Sequence, residues 1–103
     1  MTTRPRLIAG NWKMNGTAAG LAEIAAMAAA VADLPAATDA RMLTVAVCPP
    51  ATLIDRARSA AGTGPLVIGA QDVHAEPHGA FTGSVSVAML ADAGASLVID
   101  GHS

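Results

Sequence analysis

Aromatic side chains are almost missing from this chain: of 103 residues, one is Trp, one is Phe and none is Tyr. A core without large rings has to be assembled from Ala, Val, Leu, Ile and Met, so many small contacts replace a few large ones. Cysteine is nearly missing as well. The single Cys48 excludes an internal disulfide and fits a reducing, cytoplasmic setting. Charge is sparse, at 14% of residues, with a formal net charge of −2 and no basic run. That balance argues against a nucleic-acid or anionic-membrane partner. The first residues lack a signal-peptide hydrophobic region, and no apolar stretch approaches membrane-spanning length. The Ala-rich stretch 25–32 is short and lies between Glu23 and Asp33. Lysine occurs once, at position 13; the other five cations are arginines.

What is present is apolar and small: 52% of residues are hydrophobic and about a quarter are Ala, a globular composition with one modest core. Four short apolar runs recur, Leu7–Ala9, Leu43–Val47, Leu66–Ile68 and Leu97–Ile99. None alternates in and out, the pattern of strands buried on both faces of a parallel sheet. Helical patterns separate them. Leu21, Ile24, Met27, Ala28, Val31 and Leu34 form a stripe at spacings of three and four, with Thr17 as its expected N-cap and Pro35 after its end. A weaker helix runs from a Thr52 cap through Leu53, Ile54 and Ala57 to Ala61, stopped by Gly62 and Gly64. A third starts at a Ser86 cap, continues through Val87, Met89 and Leu90 to Ala93, and ends at Gly94; its apolar side is expected to face the sheet, with Asp92 outside. The order is β-α-β-α-β-α-β, and right-handed crossovers make the sheet parallel. No linker divides residues 1–103, which read as a single domain, and the repeat of about 30 residues is the βα unit itself. Ending straight after a fourth strand leaves few covering helices and two bare edges, so an incomplete polypeptide is expected.

In parallel α/β architectures ligands bind at the carboxyl ends of strands. Here those ends carry Asn11-Trp12-Lys13, Cys48-Pro49-Pro50, Gln71-Asp72-Val73-His74 and Asp100-Gly101-His102-Ser103. An amide, an ammonium and an imidazole are thus expected to share one mouth. A lysine directly after an apolar strand is commonly just solvated, and His102 reads equally well as a strand-end imidazole satisfied by a carbonyl. His74 and His78, in a Gly/Pro-punctuated loop, read as solvated, and the three histidines lack a zinc-ligand spacing. Cys48 has no adjacent cation and reads as buried and inert. Asp72 and Asp100 suit ion pairing or loop capping better than catalysis. In Gly79-Ala80-Phe81-Thr82-Gly83 the only Phe sits at a loop tip. It reads either as a docking element, for example against a second subunit, or as an arm folded back on its own barrel.

Four segments in register, Gly10-Asn11-Trp12-Lys13-Met14-Asn15-Gly16, Ala70-Gln71-Asp72-Val73-His74, Gly79-Ala80-Phe81-Thr82-Gly83 and Gly101-His102-Ser103, resemble triosephosphate isomerase. Ala88-Met89-Leu90 and Gly94-Ala95 fit the same pattern, so the similarity spans essentially the whole chain. The resemblance implies the N-terminal half of a (β/α)8 barrel, strands one to four, from an enzyme that interconverts dihydroxyacetone phosphate and glyceraldehyde 3-phosphate without cofactor or metal, usually as a homodimer. It implies that Asn11 and Lys13 bind substrate, that Lys13 also serves catalysis, and that His102 is the neutral electrophile. Met14, Phe81 and Thr82 match the subunit interface. The family's glutamate base, its closing lid and its later phosphate-binding loops correspond to positions beyond Ser103, so a chain of this extent alone is expected to be inactive. A non-catalytic half-barrel that pairs with itself or with a complementary half is the other reading. Ser84 replaces a common acid, and Asp72 a common Asn.

Overall fold

A computed structural model describes residues 6–34 and 43–99. Four parallel strands lie in sequence order: β1 (Arg6–Asn11), β2 (Leu43–Cys48), β3 (Val67–Ala70) and β4 (Leu97–Val98). Three helices connect them: α1 (Leu21–Ala32), α2 (Ile54–Ala61) and α3 (Val87–Ala93). Neighbouring strands in sequence are neighbours in space, as a singly wound βα succession requires. The expected α/β half-barrel with parallel strands is therefore the observed architecture.

The core lies between the sheet and its helices. Val47 and Ile68 project from the strands onto Ile24 of α1, Ile54 and Ala57 of α2 and Leu90 of α3, all nearly sealed from solvent. Ala28, Ala57 and Ala61 supply the small surfaces that let the helices come close to the sheet. On the opposite face, a Cβ added at Gly69 would come within 2.5 Å of Leu97 and 2.7 Å of the Cys48 Sγ, so glycine is needed for β2, β3 and β4 to interlock there.

Several local expectations change. Thr17 and Thr52 are not side-chain caps. Thr17 directly precedes the short 3-10 turn Ala18–Gly20 and Thr52 lies inside the turn Ala51–Leu53, each turn preceding the helix proper, and the α1 and α2 N-caps make no side-chain hydrogen bond. Ser86 does cap α3, its Oγ accepting from the Met89 N–H at 3.3 Å, and Gly94 closes that helix in the left-handed region at φ 110°. Val87 and Met89 are exposed and only Leu90 of that trio is buried, because a seven-residue helix has room for one inward row. Burial on both faces holds for the upper parts of β2 and β3 but not for β1, where Leu7 is 56% and Ile8 59% exposed. Among the described residues β1 is paired on one edge only, with β2.

Candidate functional site

β1 and β2 run in register from Arg6 opposite Leu43 to Asn11 opposite Cys48, and the Trp12 N–H continues the ladder by donating to the Cys48 carbonyl at 3.1 Å. The chain then turns sharply. Lys13 adopts φ 57°, the only non-glycine with a positive φ among the described residues. For an L-residue with a long side chain this region costs about 1–2 kcal/mol, so neighbouring contacts must hold it. They are visible. The Asn11 Oδ1 accepts from the Lys13 N–H at 2.8 Å, and the Lys13 carbonyl accepts from the Asn15 N–H at 2.9 Å. From beyond β3, the Gln71 Nε2 donates to the same carbonyl at 2.8 Å and to the Cys48 carbonyl at 2.9 Å.

The turn is wedged from below as well. Gly16, at φ 120°, has no space for a Cβ, which would come within 2.8 Å of the Trp12 ring and 3.2 Å of Leu53; one at Gly20 would come within 3.1 Å of that ring. The indole thus lies in a slot that two glycines open. An open cleft of about 510 Å³ adjoins it, lined by Asn11, Trp12, Asn15, Thr17 and Glu23 among others. Asn11 is half-buried and the Lys13 side chain exposed. Among the described residues the Asn11 Oδ1 is occupied by a backbone donor, which leaves its Nδ2 as the group's donor beside the exposed Lys13 side chain. An amide donor and an ammonium two positions apart are the chemistry that suits anionic oxygen.

Residues 71–86 form a second loop at this end of the sheet. The His74 N–H donates to the Val85 carbonyl at 2.8 Å and closes its base, while the Ser84 N–H donates to the Phe81 carbonyl at 3.0 Å near its tip. The His74 ring is not merely solvated. Its Nδ1 accepts from the Glu76 N–H at 3.0 Å, and it stacks on Phe81 with centroids 4.0 Å apart and planes 28° from parallel. Phe81 therefore folds back on His74 with one face, as the second reading of the arm expects, while remaining 46% exposed. Met14 is almost wholly exposed, and Thr82 and His78 are exposed. Cys48 is buried, as expected, and burial pushes its thiol up from the ordinary value. Asp72 is exposed. No cluster of three His, Cys, Asp or Glu able to hold a metal exists among the described residues, nor any helix long and apolar enough to cross a membrane.

The structure thus joins Asn11 and Lys13 through a direct hydrogen bond. His102 and Asp100 lie outside the described residues. Gln71 is the residue that inspection of single positions overlooked. Its signal was a long amide placed directly after an apolar strand, but the left-handed turn it serves is not visible in a string of letters.

The triosephosphate isomerase family model matches residues 6–103. The chain belongs to the triosephosphate isomerase family. It is 53% identical over 101 residues to a triosephosphate isomerase of Bradyrhizobium sp. strain BTAi1, covering 94% of this chain and 37% of that protein. The Caulobacter vibrioides triosephosphate isomerase is 52% identical, over 99% of this chain and 39% of its own length. The crystal structure of triosephosphate isomerase from Bartonella henselae superposes with a TM-score of 0.82 at 44% identity, covering 97% of this chain and 38% of that one. The chain therefore spans well under half the length of these family members, and its fold is that of their N-terminal portion.

Proposed function

We propose that this chain is the N-terminal half-barrel of a triosephosphate isomerase and supplies part of its active site. The observation that carries the reading is the Asn11–Lys13 pair, held at a strand end by a direct hydrogen bond with the Lys13 side chain exposed. A triose phosphate brings a dianion and, during enolisation, a developing oxyanion, and a fixed cation beside amide donors stabilises both. In this reading Lys13 draws the phosphate and offsets charge on the substrate oxygen, while the Asn11 Nδ2 donates to it. His102, by family resemblance, donates from a neutral imidazole to the same oxygens. The base that removes the carbon-bound proton is the family's glutamate, which matches no position of this sequence, so residues 1–103 alone give no turnover. No cofactor or metal enters the reaction.

Met14, Phe81 and Thr82 form the subunit interface of a cytoplasmic homodimer, the Phe81 arm of one subunit reaching the Lys13 turn of the other. The exposure of Met14 and Phe81 supports that role.

A chimera tests the proposal: this chain joined to the part of the Bartonella henselae enzyme that follows the matched region. It should interconvert the two triose phosphates, and Lys13→Met should lower kcat/KM by at least 10²-fold, on the order of one lost charge-stabilising contact. A folded chimera without activity, or one indifferent to Lys13→Met, removes the basis of the reading.

A second reading rests on β1. Its exposed Leu7 and Ile8 beside an edge paired only with β2, among the described residues, suit self-association of half-barrels. Sedimentation of the purified chain distinguishes a compact dimer from a monomer.

A further inference from the structure

The left-handed backbone at Lys13 needs an external restraint, because Asn11 and Asn15 bond to it only from within the same turn. One long side chain reaches it from just past another strand, β3. We infer that Gln71 is a positioning residue for Lys13: a clamp whose single amide nitrogen fixes the direction in which the lysine leaves the strand end.

The geometry has three parts. The Gln71 Nε2 carries two hydrogens, and two carbonyls lie in reach, Lys13 at 2.8 Å and Cys48 at 2.9 Å, so both donors are used. The Cys48 carbonyl is also the acceptor for the Trp12 N–H at 3.1 Å, which makes it the point where β1, β2 and Gln71 meet. The Lys13 carbonyl hangs from the very Cα whose φ is positive. A donor anchored just past β3 therefore ties the strained residue to the sheet and not merely to its own loop.

Amide chemistry is required. A carboxylate at position 71 would set negative oxygen against two carbonyl oxygens, and an apolar side chain of equal length would leave both carbonyls without this donor. Gln71 touches no reacting atom in this scheme; it acts through Lys13. Its bearing on catalysis rests on the isomerase reading above, whereas the clamp itself is a property of this chain's backbone.

The test reads Lys13 directly by nuclear magnetic resonance of the purified chain. In the unsubstituted chain, couplings across hydrogen bonds should connect the Gln71 side-chain nitrogen to the carbonyl carbons of Lys13 and Cys48, and the Lys13 Cα and Cβ shifts should carry the left-handed signature. In Gln71→Met and Gln71→Glu the signature should be lost at Lys13, while the amide shifts of β2 and β3 stay in place. A Lys13 that remains left-handed in either folded variant overturns the inference. Should both variants unfold, the unsubstituted chain decides: couplings to both carbonyls uphold the clamp, and their absence overturns it. An inactive chimera leaves these readouts unchanged, so the clamp and the proposed reaction fail independently.

Discussion

The Lys13 turn and the Phe81 arm stand at the same end of the sheet, yet the first is held from a distance and the second mostly by itself. Gln71 ties the turn across 58 positions of sequence and bonds at once to the end of β2. The arm relies on contacts among residues 74–85: Glu76 with His74, His74 with Phe81 and with Val85, and Ser84 with Phe81. A long-range clamp makes a turn as stable as the sheet it is fastened to. Short-range contacts let a loop open without disturbing the strands that carry it. The proposed function divides the same way: a cation meant to meet a small ligand at fixed distance suits the first kind of support, and a surface meant to adapt to a large partner suits the second.

That contrast can be broken most severely from beneath. Ile68→Ala, in the sealed core under both loops, should cost about 2–5 kcal/mol in chemical denaturation and lower protection of both loops together. Gly16→Ala should act on one side only. It places a Cβ against the Trp12 ring in a left-handed position and should cost about 1–3 kcal/mol, with loss of the Trp12 emission characteristic of the folded turn. His74→Ala should act on the other side. It removes the stacking partner of Phe81 and the Glu76 acceptor, for about 0.5–1.5 kcal/mol of local stability. Proteolysis within 74–85 should quicken while the global unfolding midpoint stays put; a matching fall in the midpoint would show that the arm is not a separate unit.

The smallest effect concerns Cys48, below the Lys13 turn. Burial raises its thiol, so the neutral form is favoured by folding. The sign follows: this contribution to stability is intact below the unfolded thiol's pKa and is lost as pH climbs through the raised folded value. Alkylation in the native state should accordingly be slower than in denaturant at every pH up to the alkaline range. Equal rates in the two states would mean that the β2 end is open.

Much of the architecture was legible because it is written in short-range periodicity. The stripe from Leu21 to Val31, the Ser86 cap and the terminal Gly94 all act within one or two turns of chain and appear where the spacing puts them. Leu34, expected to extend the stripe, instead lies past the end of α1 and is exposed. Thr17 and Thr52 misled for a related reason: a hydroxyl before an apolar run also suits a 3-10 turn, and only the backbone decides between them. Exposure of β1 was not readable, since an apolar run carries no mark of how many neighbours it has. At the site, Asn11 and Lys13 stood out by chemistry, a lone ammonium after an amide. Gln71 did not, because its importance depends on a peptide orientation that arises only after three strands have aligned.

Trp12 sits between the amide and the ammonium and is the chain's sole indole. Its ring occupies the notch left by Gly16 and Gly20. The molecule consequently carries an intrinsic fluorophore one residue from its only lysine, with no second indole to obscure it. Emission and quenching become a built-in gauge of whether this turn is in place, readable without any label.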